Sequence, residues 1–463
     1  MDITRIFQAQ RALAPARRRT FDRSARLAAL SALRDMVLTH QPQIAAALAS
    51  DFGKAETEVL LTEVLPILQE ITHARRHLRG WMRPRRVWPT LTTLGTSGRI
   101  VPQPKGVALI IAPWNFPVNL ALGPLVSALA AGCSAILKPS ELTPHTSGLL
   151  ARMIAATFPP DLVAVVEGGP EVSTQLLGLP FDHIFFTGSP AVGRIVMTAA
   201  AKTLASVTLE LGGKSPVIIG PGANLAQAAR WITFGKFINA GQTCIAPDHV
   251  YVHASLNEAF TVAMRRAIAR AYGADAKASG HFARLVDARN WGRVTGLLDA
   301  AKAAGAKVLI GGDGDEASRY LAPTLLAETT ADMAISREEI FGPVLPLIPY
   351  EDLTGVIDAI NATDKPLAIY VFGAKDLAEE TIARTASGSV GVNLTVMPFI
   401  HGNLPFGGIG NSGLGAAHGA TGFAAFSHEK PVLRNRFSSL PLVFPPYTAR
   451  VKSLARLVLK ILK

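Results

Sequence analysis

Cys244 is one of two cysteines in the chain, and its setting is the more reactive of the two. It lies in Asn239-Ala-Gly-Gln-Thr-Cys-Ile245, a polar segment with a glycine. Cys133, in Ala-Gly-Cys-Ser-Ala-Ile, opens an apolar run and reads as inert packing. A thiol serves as a nucleophile when an acid and an amide donor stand near it. Glu210 is the candidate acid, in Thr208-Leu-Glu-Leu-Gly-Gly-Lys-Ser-Pro216. A carboxylate in such an apolar run is desolvated, which lifts its pKa toward a value useful to a general base. The alternative is a strand glutamate held in a salt bridge. Asn115, in Pro113-Trp-Asn-Phe-Pro117, is the candidate amide. Glu339 and Phe341 lie in Glu338-Glu-Ile-Phe-Gly-Pro343, and Leu404 to Gly415 is glycine-dense. Ordinary turn chemistry explains these last two segments equally well.

Alternating strands and helices must position these side chains. From Gly106 onward, short apolar runs recur at Val107–Ala112, Ser134–Leu137, Leu162–Val166 and Ile184–Phe186, separated by helical stretches. Buried strands alternating with helices predict a parallel, doubly wound sheet. A second alternation runs from Val217 to about Val392. The expected fold class is therefore α/β with two doubly wound parallel-sheet domains. Residues 22 to 80 read as helices, with apolar positions at Leu27, Leu30, Leu33 and Val37, then Leu60, Val64, Leu68 and Ile71. Thr90 to Gln103 alternates loosely and predicts a β-ribbon arm.

In open α/β sheets, ligands gather at the carboxyl ends of strands. Three loops qualify: Pro113 to Pro117, Lys138-Pro-Ser-Glu141, and Thr187-Gly-Ser-Pro-Ala-Val-Gly193. In the last, Gly188 and Gly193 flank a strand-to-helix turn whose N–H groups could hold a pyrophosphate. It is not GxGxxG, and an ordinary capped turn explains it as well. Lys138 and Glu141 could grip a ribose or form a solvated pair.

Composition excludes several classes. Half of the 463 residues are hydrophobic and 17% are charged, enough for a large core and against disorder. Two cysteines exclude a disulfide framework and argue against structural zinc, so no metal is expected. They fit a reducing, cytoplasmic compartment. No stretch reaches the roughly 20 apolar residues that span a bilayer. The net charge of +12 is concentrated in Arg75, Arg76, Arg79, Arg83, Arg85 and Arg86, and again in Arg450 to Lys463. No aromatic-interleaved basic stripe accompanies it, so no nucleic-acid partner is expected.

Taken in order, PWNFP at 113, KPSE at 138, FTGS at 186, LELGGKSP at 209, GQTC at 241, EEIFGPV at 338 and LPFGGIGNSG at 404 resemble the aldehyde dehydrogenase superfamily. The resemblance covers residues 22 to 430. The short lead before PWNFP and the Phe426-Ser-His428 sequence resemble its class 3 branch of fatty-aldehyde and coniferyl-aldehyde enzymes. It implies Cys244 as nucleophile, Glu210 as general base, and Asn115 with the Cys244 N–H as oxyanion site. It implies a Rossmann-like cofactor domain binding NAD, with NADP as the alternative. Trp114, Lys138, Glu141, Gly188, Ser189, Gly193, Leu211, Glu339 and Phe341 would be the cofactor residues. The implied domains are 1–82 with 104–211 for NAD(P), 212–394 for the thiol, and 83–103 with 395–440 as a bridging arm of a homodimer. Because Glu210 is present, the thioester should go to water rather than to coenzyme A. The substrate would be an apolar aliphatic or aromatic aldehyde. Two segments depart from the pattern. Asn393 to Gly402, where substrate selection is expected, matches no single substrate. Ala416-Ala-His418 replaces an aromatic-rich Tyr-His-Gly stretch.

Residues 447–463 form a basic amphipathic pattern. Val451, Leu454, Val458, Ile461 and Leu462 share one face; Lys452, Arg456, Lys460 and Lys463 share the other. Such a helix can lie on an anionic membrane surface. The alternative is docking onto its own body or a partner subunit.

Overall fold

The structure is a computed structural model that describes residues 2–438 and 440–461. Two large sheets and a small ribbon organise it. The first sheet takes β3 (Val107–Ile111), β4 (Ser134–Lys138), β5 (Val163–Val165), β6 (His183–Thr187) and β7 (Ser206–Glu210), all parallel. Their order is β7-β6-β3-β4-β5, with the two-residue β17 (Gly413–Leu414) added antiparallel to β7. Counted from β3 as strand one, this is 5-4-1-2-3, the Rossmann order, with its switch point between β3 and β6. β3, β4, β5 and β6 are buried at every residue, as expected of strands covered by helices on both faces.

The second sheet has the order β10-β13-β14-β9-β8-β15-β16. Its members are β8 (Pro216–Ile219), β9 (His249–His253), β10 (Lys307–Ile310), β13 (Thr324–Ala327), β14 (Val344–Tyr350), β15 (Ala368–Phe372) and β16 (Ser389–Val392). Only β10 runs antiparallel. The short pair β11 (Gly314–Asp315) and β12 (Tyr320–Leu321) lies outside both sheets. The two-sheet expectation is therefore met.

The arm differs in detail from the sequence reading. β1 (Arg85–Val87) pairs with β2 (Thr96–Pro104), and a 3-10 turn at Leu91–Thr93 separates them. Nine register pairs then join β2 to β18 (Ser427–Asn435). The threonine-rich stretch is thus half turn, because Thr90 and Thr93 cap that turn reciprocally instead of continuing the strand. A helix at Ile3–Thr20 was not legible in the sequence. Its arginines and internal Pro15 hide the periodicity, yet Phe7 and Gln10 bury against the first sheet's core. Gln10 Nε2 donates to the Ala135 carbonyl at 3.1 Å.

The C-terminal helix spans Ala449–Ile461 and has no buried residue. Val451 and Val458 are half-buried, while Leu454, Leu457, Leu459 and Ile461 are exposed. Docking onto its own body is not what the structure shows. Leu462 and Lys463 lie outside the described residues. Among the described residues, no helix is long and apolar enough to cross a membrane.

Candidate active site

β7 ends at Glu210, and β8 begins at Pro216 after a five-residue connection. The carboxyl edge of the first sheet therefore faces the amino edge of the second. Asn115, Lys138, Gly188 and Glu210 follow or end strands of the first sheet, as the carboxyl-end rule requires. Cys244 and Phe341 do not obey it. They precede β9 and β14, at the amino edge of the second sheet. The crevice between the sheets collects both sets.

Cys244 sits on a strained approach. Helix Leu225–Phe237 ends, and Asn239 and Ala240 both adopt φ of +51°. That left-handed backbone costs of order 1–3 kcal/mol per non-glycine residue and persists only where surrounding bonds hold it. Here they do. Asn239 N donates to Glu58 Oε1 at 2.8 Å, and Asn239 Nδ2 donates to the Asn115 carbonyl at 2.7 Å. Gln242 Nε2 donates to the Asn239 carbonyl at 2.8 Å, and Gln242 Oε1 accepts from Val286 N at 2.9 Å. Asn239 and Gln242 both precede Cys244 in its motif, and the sequence alone gives them no role. Their signal is two amides within five residues just ahead of the thiol.

Asn115 is 4% exposed. Its Nδ2 donates to the Gln242 carbonyl at 3.1 Å, which leaves a second amide hydrogen for another acceptor. A chamber of about 30 Å³ is lined by Cys244, Glu210, Asn119, Thr187, Phe185, Leu367, Phe399, Phe406, Ala417 and His418. Both Glu210 carboxyl oxygens are buried, with no hydrogen-bond partner among the described residues. The salt-bridged alternative for Glu210 is therefore absent. Burial alone pushes its pKa well above the ordinary carboxylate range. The Cys244 thiol is pushed up to about 12 by burial first, then by Glu339 and Glu210. Cys133 is fully buried, and its Sγ donates to the Phe426 carbonyl at 3.3 Å.

The chamber opens outward. Asn119, Gly123, Phe399 and His418 also line a vestibule of about 530 Å³, whose rim carries His73, Arg76 and His401. Phe399, Phe406 and His418 pack as an aromatic trio, with centroids 4.7–5.6 Å apart. Burial lowers the His418 pKa to about 4, so this ring is neutral at pH 7. Both departures from the family pattern thus fall on this entrance: Phe399, Ile400 and His401 in the first, Ala417 and His418 in the second.

The residues expected to hold a cofactor lie at or just after the ends of β3, β4, β6 and β7 and in the loop before β14. Lys138 Nζ and Glu141 Oε2 are paired at 2.6 Å at the end of β4. A groove of about 610 Å³ lies beside β5, walled by Ile154, Phe158, Val163 and Val165. The ion pair suits ribose hydroxyls, and the groove's lining includes neither of its members. Glu339 folds over Gly212, where a Cβ would lie 2.3 Å from its Oε2. Its pKa is raised to about 7, chiefly by burial. Trp114 and Phe341 meet edge to face at 5.3 Å. A Cβ on Gly193 would approach Leu211 Cδ2 to 2.8 Å, so this glycine allows helix Pro190–Thr203 to press on the strand end. The turn itself offers fewer free donors than its sequence suggests. Gly188 N donates to the Glu210 carbonyl, Pro190 has no N–H, and Ser189 Oγ caps Val192 N. These features fit a dinucleotide. Among the described residues, no group of three His, Cys, Asp or Glu side chains could hold a metal ion.

The profile of the aldehyde dehydrogenase family matches residues 1–432. Aldehyde dehydrogenase family 3 member A2 of Pongo abelii is 42% identical over 425 residues, covering 91% of this chain and 87% of that one. The 4,4'-diaponeurosporen-aldehyde dehydrogenase of Staphylococcus aureus is 40% identical over 435 residues, covering 94% of each. A solved structure of the substrate-bound state of Staphylococcus aureus AldH superposes with a TM-score of 0.94 at 39% identity, covering 99% of this chain and 100% of that one. The chain belongs to the aldehyde dehydrogenase family, in the manner of its class 3 branch, and is an enzyme of NAD(P)-dependent aldehyde oxidation.

Proposed function

We propose that Cys244 is the nucleophile, Glu210 the general base, and Asn115 with the Cys244 N–H the oxyanion site. One observation carries this reading: the orphaned Glu210 carboxyl and the Cys244 thiol line the same small chamber. Attack of the thiolate on the aldehyde carbon forms a thiohemiacetal. The free Asn115 amide hydrogen meets the developing oxyanion, where one such donor is typically worth about 3–4 kcal/mol. The nicotinamide, when bound, supplies the hydride acceptor. The thioester on Cys244 is then opened by water that Glu210 orients and deprotonates, releasing the carboxylic acid. Trp114, Lys138, Glu141, Gly188, Ser189, Gly193, Leu211, Glu339 and Phe341 serve as the cofactor residues. The first sheet, with residues 1–82 and 104–211, is the cofactor domain, and 212–394 is the thiol domain.

Glu210 also favours hydrolysis over transfer to coenzyme A, since a base beside the thioester admits water. Neither acyl reduction nor a retired structural role has an observation in its favour. The test is NADH release with short, long and benzylic aldehydes, with and without coenzyme A. A requirement for coenzyme A overturns the hydrolytic reading, and no release with any aldehyde overturns catalysis.

The narrow apolar chamber behind a wide vestibule suits a slim chain with room for bulk farther out. We infer a medium- or long-chain aliphatic aldehyde, with aromatic aldehydes second. The relative named for 4,4'-diaponeurosporen-aldehyde supports the first choice. Exposed Val87, Trp88, Leu91, Leu94 and Leu433 on the ribbon arm suit a homodimer contact. Two free cysteines suit a cytoplasmic location. The exposed helix Ala449–Ile461, basic on one face, suits peripheral contact with an anionic membrane.

A further inference from the structure

We propose that the buried Lys54–Glu63 pair is a positioning unit that sets the placement of Asn115 against Cys244. The proposal rests on Asn115 being the oxyanion donor. Both side chains are fully buried, and Lys54 Nζ lies 2.9 Å from Glu63 Oε1. The same ammonium donates to the Asn115 carbonyl at 3.3 Å, and it stands 4.3 Å from the Phe116 ring centroid. Glu63 Oε2 accepts from Val118 N at 3.2 Å and Asn119 N at 2.9 Å. The pair therefore grips the Pro113–Pro117 loop at Asn115 and again just past its end, at Val118 and Asn119. Asn239 Nδ2 holds the Asn115 carbonyl as well, so that one oxygen ties Lys54 to the strained approach to Cys244.

The backbone is built for this grip. Helix Glu56–Val59 continues through a π-helical turn, Leu60–Val64, into helix Leu65–Trp81. Such turns in long helices mark functional sites more often than chance. In an uninterrupted α-helix, Glu58 and Glu63 would point about 140° apart. The wider turn brings both inward. Glu58 then takes Asn239 N, on the Cys244 side, while Glu63 takes the Asn115 side. Within the same turn, the Thr62 carbonyl accepts from Asn119 Nδ2 at 3.1 Å, and Asn119 lines the catalytic chamber. A carbonyl displaced from the regular ladder thus secures another chamber residue.

Neither Lys54 nor Glu63 lines the chamber, so their action must pass through the loop they hold. The test is a double-mutant cycle read by single-turnover acylation. Lys54→Met should slow acylation by about 100-fold, the scale of a 1 Å misplacement. The KM for the cofactor should stay within twofold, and alkylation of Cys244 by iodoacetamide should be unchanged, because that reaction needs no oxyanion donor. In an Asn115→Ala background, the same substitution should cost less than about threefold, since the donor it positions is gone. Equal losses in both backgrounds, or a parallel fall in alkylation, overturn the proposal while leaving Asn115 its role. Wild-type acylation in Asn115→Ala alone removes the oxyanion reading and the proposal with it. Should Lys54→Met not fold, Lys54→Met/Glu63→Gln carries the same cycle without a stranded charge.

Discussion

Replacing Glu210 by Gln keeps the side chain's shape and removes its basicity. The structure sets the size of the effect. General-base assistance typically contributes 10²–10⁴-fold. The chamber of about 30 Å³ holds two or three waters, since a water needs roughly 10–15 Å³ of such space. Among the described residues the Glu210 oxygens have no partner, and no second base lines the chamber except His418, whose pKa of about 4 makes it weak. Bulk water cannot replace the lost base once an acyl group occupies the throat. Deacylation should therefore slow by about 10³-fold, or about 4 kcal/mol of barrier. Hydride transfer precedes this step and should be spared. Stopped-flow measurement of NADH absorbance should show a burst near one equivalent per active site, then a very slow steady state. An unchanged steady-state rate refutes the base assignment. A lost burst with a normal slow phase refutes the order of events.

Other consequences follow from the same residues. With its pKa raised above the ordinary 4.5, folded Glu210 holds its proton while the unfolded chain releases it, so this group costs stability as pH climbs above 4.5. Glu210→Gln should then raise Tm more at pH 8 than at pH 5; an equal shift at both would contradict the desolvated environment. A Cys244 thiol pushed up to about 12 should make iodoacetamide inactivation of the cofactor-free enzyme climb about tenfold per pH unit from 7 to 10, and a plateau near pH 7 would contradict it. Asp248 is held below its ordinary value, against the cost of burial, by Lys214 at 2.5 Å and by His249. Its contribution is present above pH 3.8 and lost as pH falls through the folded value. Asp248→Asn should cost about 3 kcal/mol by denaturant melts at pH 7 and less near pH 3; equal losses at both would remove the electrostatic account. For the C-terminal helix, anionic liposomes should co-sediment the full chain but not a version ending at Pro446, and equal binding would remove the membrane role.

The fold was legible where period and composition agreed. β3, β4 and β6 are short runs of Val, Ile, Leu and Phe between helices, and only a buried parallel sheet accommodates that pattern. Helix Ile3–Thr20 was not legible, because its arginines face solvent or reach carbonyls such as those of Pro180 and Asp161. Ile3, Ile6, Phe7 and Ala14 do share one face against the first sheet, but only Phe7 of them is fully buried and Gln10 stands in the middle of the row, so the stripe is thin. The motif residues were legible as chemistry, but not as geometry. Seven segments had to converge, and the rule that places ligands at strand carboxyl ends accounts for Asn115, Lys138, Gly188 and Glu210 but not for Cys244 or Phe341. Cys244 reaches them from the opposite edge of a different sheet.

That meeting explains why so much buried polarity lies behind the chamber. A thiol beside one sheet and an amide beside another cannot be held in register by a single β-ladder. Asn115, Asn239 and Gln242 join the two loops directly, and Lys54, Glu58 and Glu63 brace them from a third element. Apolar contacts alone would fill this space but tolerate sliding, because they are non-directional. Hydrogen bonds with fixed donors do not, and each buried partner left unsatisfied costs about 1–3 kcal/mol. The brace therefore makes a displaced loop expensive. Its lysine and glutamates were invisible to motif reading because none belongs to a catalytic segment, and the π-helical turn that aims them leaves no periodic trace in the sequence.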